Sequence, residues 1–350
     1  MISKKIFLPL ILPFFLVSCG DEYWAFHDEQ KSFALQKAQT ELSRENFSVE
    51  QIADREVEVL MTPDKKILDR IVAMIDTAKT RVDVEVYILT EKRIIKALQD
   101  AKKRGVDVRV LLEKNVFGAT SINSKSFKAL TGSGVSVTYD NSDLYNFVHT
   151  KLLLIDDTYI ITTGNLSYAS FAYNREMYVI GRNPSDRETL GQIFSADFSG
   201  QEIVKSTSNL VISPIDSRAK IETLFQSATK DILIYAQTMD DPVIMDILAE
   251  KRRQKIPVTI CIADPKKIKS NTETIAKLSK KGVDIRASKK PVIHAKSALV
   301  DSKYSYIGSE NFTTNSLDNN REIGILLKTS PDFVEKWRGT FESDCPNTTK

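Results

Sequence analysis

Imidazole is the side chain that gains and loses a proton near neutral pH, and this chain of 350 residues holds only three histidines. Two of them stand in one frame. His149-Thr-Lys151 runs on to Asp156, and His294-Ala-Lys296 runs on to Asp301, so both read His-x-Lys-x4-Asp. Each frame leads to an asparagine in a small polar turn, Thr163-Gly164-Asn165 and Gly308-Ser309-Glu310-Asn311. Each then reaches Asn-Arg-Glu, as Asn174-Arg175-Glu176 and Asn320-Arg321-Glu322. A rare titratable residue placed twice in one polar setting is not a packing pattern. It points to proton-transfer chemistry in one active site assembled from two halves.

The elements around these residues also repeat. An amphipathic helix over 67–78 and a strand over 82–87 precede a helix over 91–104 and a strand over 106–112. Their counterparts are helix 219–229, strand 232–235, helix 243–254 and strand 258–263. Gly105 after the first of these long helices fits a C-terminal cap. Tyr87 aligns with Tyr235 and Thr90 with Thr238, while the two motif histidines lie 145 residues apart (294 − 149). Alternating strands and helices predict an α/β fold of two halves, 56–203 and 204–345, each with a mainly parallel central sheet flanked by helices. Each motif is itself expected to be a strand, with its His and Lys on one face and its Asp turned the other way.

Composition adds bounds. A net charge of +3 carries no global signal for nucleic acid. The Lys- and Arg-rich stretch 251–296 reads mostly as a solvated face, and otherwise as a rim that attracts phosphate. Lys4-Lys5 and the apolar run 6–17 have the form of a signal peptide over 1–18, too short for a membrane span. Leu16-Val17-Ser18-Cys19 resembles the lipobox of bacterial lipoproteins, which implies lipidation at Cys19 and a location in the bacterial envelope, at the outer membrane or periplasmic face. Residues 19–55 would form the tether and an N-terminal helix, with His27 at the surface and Tyr23, Trp24 and Phe26 either at the bilayer interface or packed on the domain. Cys261, in a β-like run, reads as a buried small hydrophobe, and a bridge to Cys345 has no support in the sequence. No clustered ligands suggest a metal or cofactor.

The twin motifs resemble those of the phospholipase D superfamily over about 290 residues, roughly 56 to 345. The second copy matches that pattern at every key position. The first departs, with nine steps from Asp156 to Asn165 against ten from Asp301 to Asn311, and with no residue directly equivalent to Ser309, whose hydroxyl Thr163 would supply. The resemblance implies two pseudo-twofold-related halves and metal-independent cleavage of a phosphodiester through a phosphohistidine. It casts His149 as nucleophile and His294 as general acid and base. Lys151, Lys296, Asn165, Asn311 and Ser309 would hold the phosphate, Glu176 and Glu322 would orient the imidazoles, and Asp156 and Asp301 would be structural. The implied substrate is an envelope phospholipid, hydrolysed or transferred, with a monomer sufficient for activity. A nonspecific envelope nuclease, a phosphatidyltransferase of the cardiolipin synthase kind and an inactive lipid-binding module are the alternatives.

Overall fold

The computed structural model describes residues 47–140 and 143–347. The signal segment, Cys19, Tyr23, Trp24, Phe26 and His27 lie outside the described residues. At its described end, the segment expected to continue as a helix forms only a single 3-10 turn, Val49–Gln51. It docks on the second half, where Val49 and Ile52 join a buried cluster and Asn209 bonds both backbone groups of Ala53.

The first lobe runs β1 (Val57–Met61), α1 (Lys65–Thr77), β2 (Arg81–Val86), α2 (Lys92–Lys103), β3 (Asp107–Leu112), α3 (Ser124–Thr131), β4 (Ser136–Tyr139), β5 (Lys151–Ile155), β6 (Thr158–Thr162), α4 (Tyr168–Ala172), β7 (Asn174–Arg175), β8 (Met177–Gly181) and α5 (Pro184–Phe198). The second runs β9 (Leu210–Ser213), α6 (Ser217–Gln226), β10 (Ile232–Ala236), α7 (Pro242–Arg253), β11 (Val258–Ala263), α8 (Asn271–Lys280), β12 (Asp284–Ser288), β13 (Val292–Ile293), β14 (Lys296–Val300), β15 (Tyr304–Gly308), α9 (Thr314–Asp318), β16 (Glu322–Lys328) and α10 (Pro331–Asp344). The helices start where the sequence supplies acceptors: Asp64 caps α1, Glu91 caps α2 and Asp241 caps α7. In α1, Ile67, Leu68, Ile71 and Ile75 form the buried stripe.

Both lobes are α/β, each with a seven-stranded sheet, ordered β1-β8-β6-β5-β2-β3-β4 and β12-β11-β10-β14-β15-β16-β9. Read from opposite ends, the orders match. The sheets are mixed, not mainly parallel. Within these two sheets only β2–β3–β4 and β10–β11–β12 run parallel, and the other pairings are antiparallel. The cause is local. Two residues join β5 to β6 and three join β14 to β15, and connections that short can only make antiparallel hairpins.

A central apolar cluster contains side chains of both sheets, among them Leu152, Ile161 and Val179 with Leu299, Ile307 and Ile325. Separate clusters fill the space between each sheet and its own outer helices. Strands β5, β6, β14 and β15 are therefore buried along their whole length. That is why the motif runs are almost wholly apolar after their Lys, Ser297 being the one polar residue.

Strand register corrects the alignment of the two copies. Val82 pairs with Val108 and Ile155, and Ile232 pairs with Val258 and Val300. The offset along β2 and β10 is thus 150 residues (232 − 82), so Tyr87 matches Gln237 and Glu85 matches Tyr235. The Tyr–Tyr and Thr–Thr matches were out by two residues. Because strand side chains repeat every two, such a slip keeps every residue on its proper face and leaves the pattern unchanged. The capping carboxylates confirm the register. Asp156 accepts from the backbone N–H groups of Lys79, Thr80 and Arg81, and Asp301 from those of Thr229, Lys230 and Asp231. The N–H bonds outweigh burial and hold the Asp156 carboxyl down to about 2.

Cys261 is buried, as its setting suggests, but it is not a free thiol. It is bonded to Cys345, 84 residues away at the end of α10. The bridge ties β11, the second strand of its sheet, to the end of the C-terminal helix. Closing a loop of this length restricts the unfolded chain, so Cys345→Ser should cost about 2–4 kcal/mol. A lower urea midpoint for the variant, reproduced in wild type by reductant, is the check.

Candidate active site

The site forms where the lobes exchange backbone. β13 pairs in parallel with β7, so the strand entering His294 lies beside the strand entering Glu176. The N–H of Ala295 donates to the Arg175 carbonyl at 2.8 Å. In the other direction, Val148 bridges to Arg321, and the N–H of His149 donates to the Arg321 carbonyl at 2.9 Å. Each histidine is thereby placed against the glutamate of the opposite half. His149 Nδ1 lies 2.6 Å from Glu322 Oε2, and His294 Nδ1 lies 2.9 Å from Glu176 Oε1.

Both glutamates are fully buried. Burial opposes their charge, but the adjacent imidazoles and lysines outweigh it and hold both below the usual carboxylate range. An ionised carboxylate can only accept, so Nδ1 carries the proton in both imidazoles and Nε2 keeps its lone pair. The glutamates are fixed in turn. Asn174 and Asn320 each donate to the Glu two residues on, at 3.1 Å, and Thr163 donates to Glu176 at 2.8 Å. The histidine side chains retain 13% and 16% of their surface, so both rings touch solvent.

The lysines are buried cations. Lys151 Nζ donates to the His149 carbonyl, and Lys296 Nζ to the His294 carbonyl and Gln237 Oε1, both at 2.6 Å. Burial lowers both, Lys296 to about 8. Burial also lowers both imidazoles, His149 to about 4, and each histidine feels the lysine of the other motif. The two motifs thus share one electrostatic site. Two Nε2 lone pairs and two lysine amines in one electrostatic site suit a tetrahedral anion, with one attacking atom and one proton carrier.

Asn165 and Asn311 keep equivalent positions. The extra residue of the second copy lies in the β14–β15 turn, Asp301-Ser302-Lys303, against Asp156-Asp157 in the first. The turns before the asparagines are equal in length, and the difference in spacing does not reach the site. Thr163 and Ser309 are matched: their hydroxyls accept from the N–H groups of Met177 and Ile323, each at 3.0 Å. Both Asn side-chain oxygens are buried with no hydrogen-bond partner.

Sequence reasoning missed four groups. Tyr87 packs its ring edgewise on His149, with 4.7 Å between centroids, and lies 5.3 Å from Lys151 Nζ. Gln237, its structural equivalent, offers an amide oxygen to Lys296 instead. The arginines of the two Asn-Arg-Glu runs make crossed ion pairs. Arg175 grips Asp344 at 2.5 and 2.8 Å, and Arg321 meets Asp197 at 3.0 Å. Their conspicuous repetition was the available signal. Among the described residues, no group of three or more His, Cys, Asp or Glu could hold a metal ion, and no helix is long and apolar enough to cross a membrane.

A family model described as "Cardiolipin synthase, PLD-like domain" matches residues 71–198 and again 221–345. A phospholipase D of Rickettsia typhi is 24% identical over 181 residues, half of this chain and 84% of that protein. Cardiolipin synthase A of Buchnera aphidicola is 26% identical over 323 residues, 77% of this chain and 65% of that one. Among solved structures, a phosphatidylserine synthase of Haemophilus influenzae superposes with a TM-score of 0.66 at 13% identity, covering 87% of this chain and 90% of its own. A polyphosphate kinase of Porphyromonas gingivalis gives 0.64 at 14%, over 83% of this chain but 47% of that one. At these identities both superpositions speak for the fold alone.

Proposed function

The chain belongs to the phospholipase D-like family, and from that premise we propose that it hydrolyses the headgroup of envelope phospholipids through a phosphohistidine. The carrying observation is the crossed pair of His–Glu contacts. Each buried glutamate holds Nδ1–H of the other half's histidine and leaves Nε2 out of that contact, while each motif lysine bonds the backbone carbonyl of its own histidine.

His149 Nε2 attacks phosphorus while the bond to the headgroup oxygen breaks. His294, protonated at Nε2, gives its proton to the departing alcohol. His294 then takes a proton from water, which displaces His149 from phosphorus and yields phosphatidic acid. Lys151 and Lys296, with Asn165 and Asn311, hold the non-bridging oxygens as charge develops. An alcohol in place of water would make the same cycle a transfer. The similarity to cardiolipin synthases favours testing that branch.

An envelope location, with lipid at Cys19, is part of the proposal. The Cys261–Cys345 bridge supports it, since such bonds persist in oxidising compartments.

The test uses liposomes of phosphatidylcholine, phosphatidylglycerol and cardiolipin, with plasmid and single-stranded DNA in parallel, all in EDTA. Phosphatidic acid released by wild type and not by His149→Ala or His294→Ala supports the proposal. Added glycerol then distinguishes transfer from hydrolysis. Cut DNA with intact lipid overturns the lipid substrate.

The site also sets a pH profile. The nucleophile must be neutral, and burial keeps His149 so down to about pH 4. The acid must be protonated, and burial pushes His294 below its ordinary value. Lys296 loses its charge above about 8. In the free enzyme, kcat/KM therefore climbs as pH falls through and below the ordinary imidazole range, and drops only near pH 4. Initial rates on a water-soluble diester across this range will show it; a maximum at alkaline pH contradicts the assignment.

A further inference from the structure

The two lobes differ at the catalytic mouth in a way the fold does not require. We infer that the first lobe carries a membrane-insertion edge there, and that the matching loop of the second lobe carries a cationic patch, so that together they seat the cleft on an anionic bilayer. This rests on the lipid reading above.

The position follows from register. Lys151, first residue of β5, pairs antiparallel with Val86, last residue of β2. The catalytic groups therefore stand at the C-terminal ends of β2 and β3, where the loop 113–123 leaves the sheet. That loop is tied to the site: the Phe117 N–H donates to the Tyr87 hydroxyl at 2.7 Å, and Asn123 Nδ2 donates to the Tyr87 carbonyl at 2.8 Å. Its Phe117 side chain is 86% exposed, beside Gly118 at φ 72°, and Ile122 is 37% exposed. Just after Asn165, α4 and its C-cap residue add exposed Tyr168 and Tyr173, whose rings meet edge to face.

The second lobe shows what the fold needs. Asn271 repeats the bonds of Asn123, donating to the carbonyls of Gln237 and Ala263 as Asn123 does to those of Tyr87 and Glu113. The first-lobe loop is two residues longer between these anchors; counted forward from Glu113 and Ala263, Phe117 corresponds to Lys267, and counted back from Asn123 and Asn271, Ile122 corresponds to Ser270. From the N-caps Ser167 and Thr313, Tyr168 corresponds to Thr314 and Tyr173 to Asn319. Four apolar or aromatic positions are polar in the other copy, so packing does not demand them. Phe117, at 86% exposed, gains little from folding, and a cluster of exposed apolar and aromatic groups at a mouth marks a contact surface. The second-lobe loop carries exposed Lys266, Lys267 and Lys269. Apolar wedges with flanking lysines fit an anionic bilayer. A single-stranded nucleic acid would favour a continuous aromatic platform, and Ile122 offers no stacking face.

The full chain, carrying Cys19→Ser to remove the lipidated thiol, would be labelled at Phe117→Cys with an environment-sensitive fluorophore. A control would carry the label at Lys303→Cys, in the β14–β15 turn at the far end of the sheet. Vesicles of phosphatidylglycerol should blue-shift and brighten the label at 117 several-fold, phosphatidylcholine less, and neither should move the label at 303. Phe117→Asp combined with Ile122→Asp should cut turnover of vesicle lipid about tenfold or more. The same variant should keep wild-type rates on bis(p-nitrophenyl) phosphate, which also shows that it folds. A silent label in protein that still hydrolyses vesicle lipid overturns the inference and leaves the lipid reading standing. A label that inserts without lipid turnover supports the surface and defeats that reading. A response to single-stranded DNA but not to vesicles makes this a nucleic-acid edge and overturns the inference.

Discussion

With His149 replaced by alanine, turnover falls by about 10,000-fold or more and no phosphorus remains on the protein. With His294 replaced, turnover on the natural ester falls comparably, yet a labelled phosphoenzyme accumulates from a diester with an aryl leaving group. The asymmetry follows from the roles. An aryl oxide departs without a proton, so attack by His149 Nε2 still proceeds when the acid is missing. The second step does not, because no base remains to deprotonate water. Quenching with a diester labelled in the retained phosphoryl group separates the two outcomes. Label kept by His149→Ala and lost by His294→Ala would reverse the assignment. The structure gives the reversal a fair test, since each ring has the same Nδ1 contact with a buried glutamate. What differs is the second contact of each lysine, Tyr87 on one side and Gln237 on the other.

Much of this site was legible because its chemistry is repeated. His, Lys, Asn and Glu recur in order, and two copies of a polar frame imply two half-sites. The helices and strands were legible because apolar periodicity records which face is buried. The partner of each histidine was not. Sequence distance puts Glu176 near His149, whereas the structure gives Glu176 to His294, because β7 pairs with β13 of the other half. Pairing between strands distant in sequence leaves no local trace. The two-residue slip between β2 and β10 was hidden for a related reason: it preserves alternation, and two tyrosines happened to align. Antiparallel pairing had a readable cue in the short Asp156-Asp157 connection, which outweighs the general preference of alternating elements for parallel sheets. The disulfide had none, since its partners meet only when α10 folds back on the sheet.

Arg321→Met should lower stability by about 3–5 kcal/mol and reduce kcat as well, although the guanidinium touches neither imidazole. Arg321 is fully buried. Its guanidinium meets Asp197 at 3.0 Å, donates to the Ser213 carbonyl at 3.1 Å, bonds the Tyr145 hydroxyl and lies 4.3 Å from the Tyr145 ring centroid. Around it burial raises both Asp197 and Glu85, and the arginine opposes that rise in each. Removing the cation leaves Asp197 buried beside another carboxyl, and that uncompensated group, more than the lost contacts, carries the cost. The double variant Arg321→Met with Asp197→Leu should therefore recover most of the stability, which a urea series measures directly. Activity should not recover with it. The carbonyl of Arg321 receives the N–H of His149, and the next residue is Glu322, so the buried guanidinium fixes the backbone that aims both members of one crossed pair. A double variant that regains stability but not kcat would separate the two contributions. It would assign to the Arg in Asn-Arg-Glu the task of holding one lobe's glutamate against the other lobe's histidine.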